Sequence, residues 1–225
     1  MATVFISGTG TDVGKTFIAA ALIRHLRAAG KPVEAIKPVV SGFNPANITL
    51  SDSGVLLAAL GRDPVQEQIE RVSPWRFTAP LSPDLAAQAE GRAVDFKALI
   101  EFCRRAEDQT RGLLIIEGVG GIMVPLDATH TVLDWMTALR APVLLVAGSY
   151  LGTISHTLTA LHVLAQRRLD IAAVVVSESA TPGASLDDTV ATIARFAQPI
   201  EVIGVPRHTL GAGEHPAIAR IARLL

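Results

Sequence analysis

The residues with the most evident chemistry form the run Gly8-Thr9-Gly10-Thr11-Asp12-Val13-Gly14-Lys15-Thr16, which follows a short apolar segment and opens a stretch of good helix formers. Glycines in such a turn let backbone N–H groups point inward around phosphate oxygens, and the helix N-terminus adds positive potential. Lys15 would reach the terminal phosphates and the Thr16 hydroxyl would ligate Mg²⁺, so the segment reads as a P-loop. Gly8 precedes Gly14 by one residue more than G-x-x-x-x-G-K-S/T requires. A glycine-rich turn that only closes a strand–helix junction is the competing reading.

Phosphoryl transfer also needs carboxylates for the metal. Glu117 ends the apolar run Leu113-Leu114-Ile115-Ile116 and is followed by Gly118-Val119-Gly120-Gly121, the Walker-B position, where a carboxylate holds Mg²⁺ directly or through water. A solvated strand-end glutamate is the plainer alternative. Asp52 has two equal explanations, since an aspartate in the first turn of a helix also complements the helix dipole. Lys37 ends a second strand candidate and is followed by Pro38-Val39-Val40-Ser41-Gly42, on the same sheet edge as the P-loop. It either faces the phosphates or is an ordinary strand-end lysine. The chain carries only four lysines, at 15, 31, 37 and 97, against 16 arginines, which favours a purpose for each.

These residues must be carried by something. Short aliphatic and β-branched runs alternate with longer segments of helical spacing, the pattern of a parallel sheet covered by helices on both faces. Strands are expected at residues 3–7, 33–37, 113–117, 142–147, 172–177 and 200–205. Helices are expected at 16–29, 51–60, 84–89, 96–105, 131–139, 155–166, 186–196 and 216–224. Gly30 and Gly61 should close helices, and Ser51 should cap one. Residues 61–83, with four prolines and no clear periodicity, read as a long functional loop. The expectation is a doubly wound α/β fold of P-loop NTPase type, one domain over residues 1–225.

Taken together, the long-spaced P-loop, Ile36-Lys37-Pro38-Val39 leading to Ser41-Gly42, Ser51-Asp52, Ser82-Pro83, Glu117-Gly118-Val119-Gly120-Gly121 and Leu151-Gly152-Thr153-Ile154-Ser155-His156 resemble the dethiobiotin synthetases. The resemblance implies ATP-dependent carboxylation of 7,8-diaminopelargonic acid by CO₂ and closure of a ureido ring, in biotin biosynthesis. It implies Lys37, Lys15 and Thr11 as catalytic residues. Thr16, Asp52 and Glu117 would hold Mg²⁺. ATP would lie on Asp12, Val13, Gly14, Lys15, Thr16, Phe17, Asp52 and Glu117, Gly118, Val119, Gly120, with its base near Ser177, Glu178, Val205, Pro206 and Arg207. The diamino acid would contact Ser41, Gly121, Gly152, Thr153, Ile154 and Ser155. In the family this last segment comes from the other subunit, so a homodimer with interfacial active sites is implied. Asp12 stands where the family usually has Glu, Ser177 where it has Asn for the adenine, and Ser155 where it has Asn.

Partition and cell-division ATPases share a long-spaced P-loop but carry an extra lysine early in it; the stretch Gly10-Thr11-Asp12-Val13 has none. Amidotransferase-linked cobyrinate synthases need a nucleophilic cysteine, and nothing after Cys103 supplies one. With 20 Lys+Arg against 21 Asp+Glu the chain has no positive field for nucleic acid or membrane. A lone cysteine and no leader before Val4 make cytoplasm the expected compartment. The histidines at 25, 130, 156, 162, 208 and 215 have no i, i+4 pair and read as surface or packing residues, with His156 beside the expected carboxylate site. On the segment from 215 onward, Ile218, Ile221, Ala222 and Leu225 share a helical face, suited to docking on the sheet rather than on a membrane. Substituting Lys37 by Gln is expected to cost orders of magnitude in turnover and little in melting temperature.

Overall fold

A computed structural model of the protein describes residues 2–207 and 215–225, so His208 lies outside the described residues. In chain order the first half contains β1 (Ala2–Gly8), α1 (Lys15–Ala28), β2 (Val33–Ile36), β3 (Val39–Ser41), a 3₁₀ turn at Pro45–Leu50, α2 (Asp52–Ala59), α3 (Gln66–Val72), β4 (Trp75–Phe77) and α4 (Pro83–Ala89). The second half contains α5 (Phe96–Gln109), β5 (Leu113–Glu117), α6 (Val132–Leu139), β6 (Val143–Gly148), α7 (Thr153–Gln166), β7 (Ile171–Ser177), α8 (Leu186–Ala197), β8 (Val202–Val205) and α9 (Pro216–Ala222).

Six strands make one sheet, ordered β2-β5-β1-β6-β7-β8, and every pairing is parallel. Strands such as Val143–Gly148 are apolar throughout because both of their faces are covered, as a parallel sheet demands. Alternation along β1 feeds two cores. Val4 and Ile6 face the layer built with Ile18, Leu22 and Ile218, and Phe5 faces the other, edge-on to Trp135 at 4.9 Å. Docking of α9 is as expected, with Ile218 and Ile221 buried. Parallel strands all end on the same edge, where ligands of doubly wound sheets bind. The turns after β1, β2, β5 and β7 are therefore brought together although they are up to 170 residues apart.

Several local expectations hold. Gly30 and Gly61 follow helices with φ of +69° and +71°, and the Ser51 hydroxyl accepts the Gly54 N–H at 3.1 Å. Two need correction. Residues 61–83 are not a bare loop: they hold α3, whose buried Ile69 and Val72 are too few apolar positions to reveal a period, and β4, whose three residues are too short to do so. The chain after Pro38 also continues as β3, which pairs in parallel with β4 in a separate two-stranded sheet. Pro38 marks the crossing: the Lys37 N–H donates to Val72 and the Pro38 carbonyl accepts from Trp75, so the chain leaves the main sheet there.

On the far side, β2 is an edge strand. A groove of about 1120 Å³ beside it is lined by Arg27, Lys31, Arg62, Arg71, Arg105 and Arg111 with Glu34. Cations along an open edge discourage pairing with another chain. Nothing in this groove joins it to the P-loop residues.

Candidate active site

The P-loop is the turn between β1 and α1. Asp12 and Gly14 have φ of +56° and +94°, the left-handed conformations that aim successive N–H groups into one concavity. Gly14 has a second reason to be glycine: a Cβ there would lie 2.6 Å from Ser177 Oγ. A cavity of about 310 Å³ opens over this turn, lined by Thr11, Asp12, Gly14, Lys15, Thr16, Phe17, Lys37, Asp52, Glu117 and Gly120. Eight of these ten belong to the nucleotide set expected from sequence, and Thr11 and Lys37 are the other two.

At its floor lies a charge cluster. The Lys37 ammonium donates to Glu117 Oε1 at 2.6 Å and to the Gly118 carbonyl at 3.1 Å, and lies 3.0 Å from Asp52 Oδ2. Thr16 donates its hydroxyl proton to the same Glu117 oxygen at 2.7 Å. Lys37 and Glu117 are 2% and 0% exposed, whereas the Asp52 side chain is 46% exposed. Lys37 is thus no solvated strand-end lysine. Asp52 does more than complement a helix dipole, because its carboxylate closes the cluster opposite Glu117.

The two lysines respond oppositely to burial. Desolvation acts against the Lys37 charge, but the adjoining Glu117 and Asp52 carboxylates outweigh it and hold the ammonium protonated above its ordinary range. Burial also works against the Asp52 charge, and the Lys37 ammonium overcomes it and lowers its pKa. Lys15 has no carboxylate within ion-pair distance among the described residues and donates to the Gly10 carbonyl at 2.7 Å. Burial, with Lys37 nearby, lowers its pKa to about 8. An ammonium held this way is short of negative charge, which a polyphosphate supplies.

The cluster fits a magnesium ion. Glu117 Oε2 is buried without a hydrogen-bond partner, a costly state for a carboxylate oxygen unless a ligand meets it. Thr16, Asp52 and Glu117 offer only hard oxygen donors, the set suited to Mg²⁺ with phosphate and water as its remaining ligands. Among the described residues no group of three or more His, Cys, Asp or Glu is placed to hold a metal ion. Cys103 is buried and burial pushes its thiol up to about 12, consistent with an inert core residue.

Apart from Val13 in the P-loop and Gly118, Val119 and Gly121 in the turn after β5, the remaining expected residues fall into three places. Ser177 is 8% exposed and packs on Gly14, while Glu178 accepts the Arg207 N–H at 3.0 Å and donates its own N–H to Val205. That bond holds 177–178 and 205–207 side by side at the sheet edge, next to the P-loop. Ser41 lies on β3, its hydroxyl buried and unpartnered. Gly152 caps α7 with φ of +97°, and the Thr153 hydroxyl donates to the Gly148 carbonyl at 2.7 Å, so residues 152–155 present a helix N-terminus. These four do not line the P-loop cavity.

One part of the site escaped the sequence reading. A second cavity, about 510 Å³, is lined by Thr9, Gly10, Thr11, Gly121, Ile122, Met123, Val124, Pro125, His156, Thr159, Ala160 and Val163. It meets the first cavity at Thr11. Its apolar wall is drawn from the turn after β5 and from α7, where the sequence motifs include Gly121 and His156 but not Ile122, Met123, Val124, Pro125, Ala160 or Val163. His156 belongs to it and its Nδ1 lies 2.9 Å from the Tyr150 hydroxyl, which gives this histidine a definite setting.

Comparison with known proteins agrees with this geometry. Residues 2–210 match the family model described as an AAA domain. The chain is 50% identical over 204 residues to the ATP-dependent dethiobiotin synthetase BioD of Methylobacterium nodulans (88% of this chain, 90% of the relative). It is 49% identical over 208 residues to that of Caulobacter sp. strain K31 (92% and 89%). Among solved structures, the cell division ATPase MinD of Pyrococcus furiosus superposes with a TM-score of 0.56 over 100% of this chain and 97% of that one, at 15% identity. The MinC:MinD complex of Aquifex aeolicus gives 0.56 at 13% identity, over 100% and 94%. The cell-division ATPases thus share the fold, and the sequence match lies elsewhere: this chain belongs to the ATP-dependent dethiobiotin synthetase family.

Proposed function

We propose that the chain, acting as one P-loop domain over residues 1–225, carboxylates 7,8-diaminopelargonic acid with CO₂ and closes the ureido ring of dethiobiotin at the expense of ATP. The observation that carries the reading is the pairing of a phosphate nest and its lysines with an apolar-walled cavity that meets it at Thr11. A diamino acid with a hydrocarbon chain needs both: an anionic end where carbamate and γ-phosphate meet, and a wall for the chain.

The reaction proceeds in three balanced steps. One substrate amine adds to CO₂ and loses a proton, giving a carbamate. A carbamate oxygen displaces ADP from the γ-phosphate, giving a carbamic–phosphoric anhydride. The second amine attacks the carbonyl carbon, expels phosphate and loses its proton. Negative charge accumulates at one point throughout, and the work of the protein is to neutralise and align it. Lys15 pairs its ammonium with the transferring phosphate, whose negative charge offsets the cost of burying it. Lys37 stabilises the carbamate and the anhydride oxygens, and the Thr11 hydroxyl sits at the junction of the cavities to orient them. Thr16, Asp52 and Glu117 would hold Mg²⁺, which would supply positive charge against the phosphates. Backbone N–H groups from Asp12 to Phe17 cradle the phosphates, Gly118, Val119 and Gly120 pass close beneath them, and the base lies on Ser177, Glu178, Val205, Pro206 and Arg207.

Ser41 and Gly121 contact the diamine. The substrate carboxylate is taken by Gly152, Thr153, Ile154 and Ser155 at the α7 N-terminus of a second copy. Leu151 beside that terminus is 88% exposed and Met123 at the cavity rim is 55% exposed, which supports a homodimer that covers both. The enzyme would work in the cytoplasm, and no described helix is long and apolar enough to cross a membrane. Purified protein should release ADP only when the diamine and bicarbonate are both present. ADP release stimulated instead by DNA or liposomes would transfer the chain to the functional class of its structural neighbours.

A further inference from the structure

Thr9 has no part in the reaction as described above, yet its surroundings are those of a ligand contact. Its backbone is fixed. The N–H donates to the Val146 carbonyl at 2.9 Å, and its own carbonyl is covered by Gly121, where a Cβ would come within 3.2 Å of it. So held, the side chain lines the 510 Å³ cavity, and Oγ1 is buried with no hydrogen-bond partner.

That hydroxyl is anomalous. Valine has the same shape, would suit the β-branched preference of a strand end, and would remove an unsatisfied polar atom. The cavity that Thr9 lines is walled by apolar Ile122, Val124, Pro125, Ala160 and Val163, and also by Gly10 and Thr11, the P-loop residues that follow Thr9 in the chain. Thr9 therefore marks the border at which a ligand with a hydrocarbon body and a polar end has to place the polar end. A threonine hydroxyl accepts a hydrogen bond from an amine N–H and keeps its own proton for a carbamate oxygen.

We infer that Thr9 is a substrate-positioning residue: its hydroxyl binds the amino end of the diamine where the apolar wall gives way to the P-loop. The inference rests on the dethiobiotin synthetase reading and adds a residue to it.

Steady-state kinetics of Thr9→Val and Thr9→Ser, with thermal melts of both, test it. Thr9→Val should raise the KM for diaminopelargonate about tenfold or more, as expected for one lost bond to a polar ligand group. The KM for ATP should stay within about twofold, and the melting temperature should be unchanged or higher because a buried orphan hydroxyl is gone. Thr9→Ser should recover most of the loss. An unchanged diamine KM in Thr9→Val overturns the inference, as does a parallel rise in both KM values or a loss of melting temperature in Thr9→Val. If the wild type forms no dethiobiotin at all, the underlying reading fails and Thr9 with it; an active wild type with an indifferent Thr9→Val sinks Thr9 alone.

Discussion

Lys37→Gln is expected to lose at least about a hundredfold to a thousandfold in turnover, the usual effect of removing one preorganised group from a developing anion. It should also melt substantially lower than the wild type. From sequence the variant is expected to keep its melting temperature, and the structure corrects this. Lys37 is the buried partner of Glu117, itself fully buried, at 2.6 Å. Breaking a buried pair on one side leaves an uncompensated charge, at a cost of about 3 kcal/mol or more. In a chain of this size that corresponds to roughly 10 °C. Because Mg²⁺ would face the same carboxylate, the metal with ADP should restore more stability to Lys37→Gln than to the wild type, measured by differential scanning fluorimetry. A variant that is inactive but as stable as the wild type would show that Glu117 does not depend on Lys37.

Lys15→Met is expected to behave in the opposite way for stability and the same way for function. Its kcat/KM for ATP should fall by about a thousandfold, since the group that meets the terminal phosphates is gone. Its stability at pH 7 should match or exceed the wild type. The folded protein holds Lys15 at a pKa of about 8 against 10.5 for the ordinary group, so below pH 8 the charged lysine carries a cost of about 3 kcal/mol. Between pH 8 and 10.5 the unfolded chain binds more protons at this residue than the folded one, and wild-type stability gains from that site as pH rises. The advantage of Lys15→Met over the wild type should therefore shrink across this interval. Chemical denaturation of both proteins at pH 7 and pH 9.5 measures it. A constant difference, or a destabilised Lys15→Met at pH 7, would contradict the account of Lys15.

The contrast between the two lysines bears on how much the sequence could tell. Their scarcity pointed at both, and both are buried at the site, but Lys31 and Lys97 are exposed, so scarcity alone does not identify function. The six main strands and the eight helices with clear spacing were legible because burial on both sheet faces writes itself as continuous apolar runs. The short elements α3, β3 and β4 were not, since three to seven residues hold too few turns or alternations to show a period. In the site, the P-loop, Lys37 and Glu117 each sit at the end of a strand, and strand ends share one edge in a parallel sheet. That rule made their convergence readable. The apolar cavity was hidden because Ile122, Val124 and Val163 look like core residues in sequence, and only tertiary packing leaves space between them. Thr9 was hidden for a related reason: within a glycine-rich turn one threonine looks like another until one hydroxyl is seen to lack a partner.

The reaction proposed for this chain joins one carbon from CO₂ to both amines with one ATP. Incubation of the protein with diaminopelargonate, ATP, Mg²⁺ and ¹³C-bicarbonate, followed by mass spectrometry of the product and measurement of ADP, tests it directly. The expected product is a dethiobiotin whose ring carbonyl carries the label, formed in a one-to-one ratio with ADP. ADP without labelled cyclic urea would contradict it.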